Sequence, residues 1–151
     1  MSNESVPMSG SRAAPGPGDT PRVVIVEDQR LIAEFLSQHC RSLGLTVLST
    51  CATMSEGLAA CRAQRPTLVL MDFSLGDGNG LEAARTLMAE FPALRVLGIS
   101  SHRDPWTMLQ VQRIGLHGFV DKHEPRPEEL TKAIRTVLEG HTYYSQALNQ
   151  A

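Results

Sequence analysis

Residues 68–85, LVLMDFSLGDGNGLEAAR, decide the fold. The segment opens on a short apolar run that stops at an acid, Asp72. It then passes through the turn Gly76-Asp77-Gly78-Asn79-Gly80 and resumes with apolar residues three and four apart. A run of that length bounded by turn residues reads as a buried strand, and the residues beyond the turn read as an amphipathic helix packed on a parallel sheet. The glycines match neither a phosphate-binding loop nor a dinucleotide fingerprint.

The same strand, loop and helix unit recurs on both sides. Strands are predicted over 22–26, 45–49, 67–71, 95–99 and 118–121, and helices around 29–43, 55–64, 80–90, 105–114 and 127–139. Leu130, Ala133, Ile134, Val137 and Leu138 form an apolar stripe on the last helix, and Gly140 stops it. Alternating βα units with right-handed crossovers predict an α/β doubly wound fold with helices on both faces of a five-stranded parallel sheet ordered 2-1-3-4-5.

With 151 residues, 42% of them hydrophobic, the chain suits one domain with a sizeable core. The expected layout is a disordered tail over 1–20, rich in Ser, Pro and Gly, a domain over 21–140, and a tail or the start of a linker over 141–151. A net charge of −2 gives no surface for neutralising DNA phosphates or an anionic membrane, so this segment itself is expected to bind neither nucleic acid nor membrane. Cys40, Cys51 and Cys61 have neither zinc nor disulfide spacing and read as buried thiols. No apolar run is long enough to span a membrane, and there is no charged-then-apolar leader, so the cytoplasm is the expected location.

Ligands on such sheets sit at the carboxyl ends of the strands. Glu27-Asp28 follow the first predicted strand, Asp72 the third, Ser100 and Ser101 the fourth, and Lys122 the fifth. Register favours Ser100 over Ser101, because it comes immediately after Ile99. Three acidic side chains brought together repel, and a hard divalent cation with oxygen ligands relieves them; Mg²⁺ fits best. One carboxylate stays free to attack phosphorus, and Asp72 is the candidate nucleophile. Taken singly each residue is weak: Asp28 alone could be a helix cap, and Phe119 alone a core aromatic.

The run LVLMDFSLGDGNGLEAAR, the acidic pair in VVIVEDQ, the hydroxyl in VLGISSH and the lysine in GFVDK together resemble the receiver domains of two-component response regulators. The resemblance covers about 22–140 and implies the CheY-like, flavodoxin-like (βα)5 fold. It implies that Asp72 accepts a phosphoryl group from a sensor histidine kinase. Glu27, Asp28, Asp72 and the main-chain carbonyl of Ser74 would hold Mg²⁺. Ser100 and Lys122 would contact the phosphoryl group, and Ser100 with Phe119 would form the switch, the aromatic turning inward. Ser74 and His102, two residues beyond Asp72 and Ser100, would set the phosphoryl lifetime. The ending PEELTKAIRTVLEGHTYYS resembles receivers usually followed by a LuxR-type helix-turn-helix, which implies a role in transcription, an output domain or partner, and a homodimer on phosphorylation. By the same resemblance the chain is a signalling phosphoacceptor rather than an enzyme, although it would catalyse its own phosphorylation and dephosphorylation. The sequence departs from the family in having His123 and Gly76 where prolines are common, and Glu27 for an aspartate.

Two other functions fit parts of the pattern. A haloacid-dehalogenase-like phosphatase would need a second acid at Ser74 and its nucleophile on the first strand. A receiver-like module that never turns over phosphate would not need the set Glu27, Asp28, Asp72, Ser100 and Lys122.

Overall fold

Runs rich in Val, Ile and Leu pleat into strands because alternate side chains can be buried on two faces at once. The computed structural model describes residues 20–75, 79–101, 105–122 and 126–145. Residues 1–19 of the expected tail, Gly76, His102, His123 and residues 146–151 lie outside them. The elements are β1 Arg22–Val26, α1 Arg30–Ser42, β2 Thr46–Cys51, α2 Met54–Gln64, β3 Leu68–Asp72, α3 Gly80–Glu90, β4 Arg95–Ser100, α4 Pro105–Arg113, β5 Gly118–Asp121, α5 Pro127–Leu138 and β6 Tyr143–Tyr144.

Alternation within the strands divides the core. Val23, Ile25, Leu68, Leu70, Leu97, Ile99 and Val120 face α1 and α5, whereas Val24, Val26, Val69, Met71, Val96 and Phe119 face α2, α3 and α4. All neighbouring strands are parallel, in the order β2-β1-β3-β4-β5-β6. The doubly wound α/β fold is therefore as expected, but the sheet has six strands rather than five. The extra strand is two residues long, too short for any periodicity to announce it. Gly140, at φ 95°, ends α5 in the left-handed region that favours glycine and lets the chain return along the outer edge of β5. There Tyr143 N donates to His117 O at 3.0 Å and Ser145 N to Phe119 O at 2.9 Å.

Several strands also run further than the apolar runs suggested. β2 reaches Cys51, β3 Asp72 and β4 Ser100, because the ladder continues past the last apolar side chain: Glu27 N donates to Cys51 O, Phe73 N to Ile99 O and Lys122 N to Ser100 O. Loop chemistry fixes where helices start. Thr53 Oγ1 accepts from Glu56 N, capping α2, while Glu56 Oε1 reaches back to accept from Ala52 N, just ahead of the cap. Asn79 Oδ1 accepts from Leu81 N and Glu82 N at the start of α3. Asp28 is not a cap, since Gln29 holds that position on α1 and makes no side-chain cap bond.

The three cysteines are free and buried. Burial raises all three thiols, Cys40 and Cys61 to about 12, so they act as small apolar groups. No helix among the described residues is long and apolar enough to cross a membrane.

Candidate functional site

Four strands deliver polar side chains to one end of the sheet. β1 delivers Glu27, 3% exposed, and the exposed Asp28; β3 delivers Asp72, 1% exposed; β4 ends on Ser100, 1% exposed; β5 is followed by Lys122. Carboxylate oxygens of Glu27, Asp28 and Asp72 lie within 4.8 Å of one another. Lys122 Nζ donates to Asp72 Oδ2 at 2.8 Å and to Glu27 Oε2 at 3.1 Å. The second oxygen of Asp72 accepts from Ser74 N at 2.8 Å, and Glu27 Oε2 also accepts from Gln29 N at 2.9 Å.

Burial raises the Glu27 carboxyl above its usual value; the Gln29 amide and Lys122 pull it down, while Asp72 pushes it up. For Lys122, burial alone would lower the ammonium, but its hydrogen bonds to Asp72 and Glu27 prevail and hold it above its usual value. Glu27 Oε1 is buried with no hydrogen-bond partner among the described residues. A buried carboxylate oxygen left this way is unfavourable unless something cationic or a donor reaches it. One ammonium thus faces three acids, a site built to receive further positive charge.

The structure brings together Glu27, Asp28, Asp72 and Lys122, with the Ser74 amide on Asp72. Ser100 is buried at the end of β4 and accepts Lys122 N on its carbonyl, whereas Ser101 lies half-buried just beyond. Phe119 points inward, 2% exposed, with its ring edge-on to Phe73 at 5.3 Å between centroids. Gly98 makes room for both rings, since a Cβ there would stand 2.8 Å from Phe119 and 3.0 Å from Phe73.

Phe73, Gly98 and Ser145 do not stand out in the sequence. Gly98 carries a usable signal, because glycine inside a strand marks a close approach. Phe73 and Ser145 carry none that composition or periodicity could expose. Ser145 is 3% exposed, and its Oγ accepts from Asp121 N at 3.0 Å.

Residues 23–135 match the family model described as the response regulator receiver domain. The chain is 35% identical over 130 residues to the transcriptional activator protein ExaE of Pseudomonas putida, covering 83% of this chain and 59% of that protein. It is 33% identical over 125 residues to the DNA-binding transcriptional activator DevR/DosR of Mycobacterium tuberculosis, covering 80% of this chain and 56% of that one. The chain therefore spans less than two thirds of the length of these relatives. Among solved structures, a LuxR-family two-component response regulator from Aurantimonas sp. superposes with a TM-score of 0.79 at 28% identity, over 87% of this chain and 94% of that one. The match over most of the chain, on the doubly wound sheet that carries the acidic cluster and Lys122, establishes that the chain belongs to the response regulator receiver domain family, the receivers of two-component signalling.

Proposed function

We propose that Asp72 is the phosphoacceptor, charged by a sensor histidine kinase in the cytoplasm, and that Ser100 and Lys122 bind the incoming phosphoryl group. The observation that carries the proposal is the setting of the Asp72 carboxylate. It is 1% exposed at the end of β3, with one oxygen on Lys122 Nζ and the other on Ser74 N, each at 2.8 Å. Both bonds fix the carboxylate for in-line attack, and in phosphoryl transfer positioning and charge neutralisation do most of the work.

The donor set fits Mg²⁺. Glu27, Asp28 and Asp72 supply hard oxygens within 4.8 Å, Glu27 Oε1 is buried and unpartnered among the described residues, and the main-chain carbonyl of Ser74 completes the proposed ligands. Bound there, Mg²⁺ neutralises charge on the carboxylates and the phosphoryl oxygens. In the transfer an Asp72 oxygen bonds to phosphorus as the bond from phosphorus to the kinase imidazole nitrogen breaks, and the imidazole leaves with the electron pair. Lys122 turns from Asp72 toward a phosphoryl oxygen, and the Ser100 hydroxyl donates to another. Hydrolysis later returns the carboxylate, so the chain catalyses both its own phosphorylation and its dephosphorylation while serving as a signalling element. Ser74 and His102 set how long the phosphoryl group lasts.

Phosphorylation biases a two-state equilibrium of Ser100, Phe119, α4, β5 and α5, and that shift is read by an output domain, a partner or a second copy of the chain. DNA binding in transcription control would belong to a helix-turn-helix domain, if one follows the receiver, and not to this segment.

Intact mass after incubation with acetyl phosphate tests the core of the proposal. One phosphoryl group is expected with Mg²⁺, and none in EDTA or in Asp72→Asn. A gain that survives in Asp72→Asn would move the acceptor elsewhere. No gain by the folded wild type, from acetyl phosphate or a phosphorylated kinase, would reject phosphoacceptance.

A further inference from the structure

We propose that Ser145 is a positioning residue for Lys122, so that this one residue of the segment after α5 serves phosphoryl transfer. The inference rests on Asp72 being the phosphoacceptor and Lys122 its cationic partner. Without β6, β5 would be the sheet's edge strand, and the Phe119 carbonyl and Asp121 amide would face outward, where edge strands fray. Instead the Ser145 peptide N–H donates to Phe119 O at 2.9 Å, and its Oγ accepts from Asp121 N at 3.0 Å. The hydroxyl stands where the next carbonyl of a longer strand would stand, and so finishes the ladder after only two paired residues. On the other side of β5, Lys122 N donates to Ser100 O at 2.9 Å. Two successive amides, Asp121 and Lys122, are therefore held from opposite sides, one by Ser145 and one by β4.

This clamp matters because lysine has a long, flexible stem whose tip is only as well placed as its Cα. Here that tip must meet Asp72 at 2.8 Å and Glu27 at 3.1 Å together. Ser145 is 3% exposed, so its bond to Asp121 is shielded from competing water. The strap has its own anchors away from the site. Tyr144 Oη donates to Leu116 O at 2.9 Å, and Tyr143 Oη donates to Glu129 Oε2 at 3.0 Å. Coupling of this kind is reciprocal: if Ser145 helps to place Lys122, a change in Lys122's partner on phosphorylation is felt at Ser145.

The test compares phosphorylation rates with acetyl phosphate at saturating Mg²⁺ in the full chain, followed by intact mass, with thermal midpoints taken in parallel. Ser145→Ala is expected to slow phosphorylation roughly fivefold, the order expected for loss of one shielded hydrogen bond. Ser145→Thr, which keeps the hydroxyl, restores the rate. Tyr143→Phe loosens the same strap through Glu129 without touching β5, and leaves the rate unchanged. Equal rates for Ser145→Ala and the wild type, or equal slowing by Tyr143→Phe, would overturn the positioning role while leaving the phosphoacceptor reading intact. A wild type that takes up no phosphoryl group sinks both. Should Ser145→Ala fail to fold, amide exchange in the wild type decides: protection at Asp121 and Ser145 shifts on phosphorylation if the coupling exists, and unchanged protection at both overturns it.

Discussion

At the amino rim of the sheet, Thr67 Oγ1 accepts from Arg22 N at 2.8 Å and donates to Arg22 O at 3.0 Å, and His117 Nδ1 accepts from Val96 N at 2.9 Å. At the carboxyl rim, Lys122 Nζ and the carboxylates of Asp72 and Glu27 bond to one another. Polar side chains at the first rim complete backbone ladders. Those at the second gather like charges and leave Glu27 Oε1 unpartnered among the described residues. Arg95, at the amino rim, also has a buried Nε unpartnered among the described residues, but the residue is only half-buried and its guanidinium has other donors. The contrast separates groups that serve folding from groups gathered against their own stability.

The largest expected effect breaks the carboxyl rim. Lys122→Ala removes the ammonium from between two carboxylates that are each 1% exposed at the side chain. Stranding buried charge in this way costs about 3 kcal/mol. Adding Glu27→Gln should return part of that loss, because the amide can still accept from Gln29 N while one negative charge is gone. Urea unfolding in EDTA measures both. If Lys122→Ala proved no more harmful than a change at the amino rim, or if Glu27→Gln deepened the loss, the carboxyl rim would not be the strained one.

The two rims are also unequally legible in the sequence. Asp72, Glu27, Asp28 and Lys122 stand out because charges directly after apolar runs are conspicuous, and parallel topology brings strand ends together whatever the loops do. Ser100 follows from register alone. β6 stays hidden because its pairing is non-local: two tyrosines after a helix stop carry no period, and the strand exists only because β5 offers an unpaired edge. The inward pose of Phe119 is expected of an aromatic in a short strand, but what makes room for it is not readable, since it depends on Gly98 vacating space two residues before Ser100 and on the ring of Phe73. At the amino rim, Thr67 reads as an ordinary strand start and His117 as an ordinary loop residue, because their partners are backbone groups brought in from other strands.

A smaller effect sharpens the comparison from the amino rim. Burial lowers the His117 pKa, with Arg95 adding to the shift, so the folded state favours the neutral ring that accepts from Val96 N. A depressed folded value means that this stabilisation is complete above the unfolded value of 6.5 and is lost as pH falls through the lower folded value. His39, lowered by burial between α1 and α5, acts in the same direction, so the difference between wild type and His117→Ala isolates one ring. The variant should lose about 1–3 kcal/mol near neutral pH by orphaning the Val96 amide, and its deficit should shrink as the pH falls below 6.5. A deficit independent of pH would mean that His117 contributes only its bulk.

The smallest effect belongs to a pair outside both rims. Arg62 and Glu90 join α2 to α3 through Nε and Nη2 at 3.0–3.2 Å, the most complete fork in the molecule among the described residues. The hydrogen bond to Glu90 raises the Arg62 pKa, and that to Arg62 lowers the Glu90 pKa. Yet both side chains are exposed, and water and salt screen what the geometry offers. Arg62→Ala should therefore leave the unfolding midpoint within error at physiological salt, although it removes more hydrogen bonds than Lys122→Ala does. If the two variants were equally harmful, hydrogen-bond geometry rather than burial would govern charge energetics here, and the carboxyl rim would lose its distinction. If Arg62→Ala is silent, the charged contacts that matter are those the sheet has enclosed, and these are the ones gathered around Asp72.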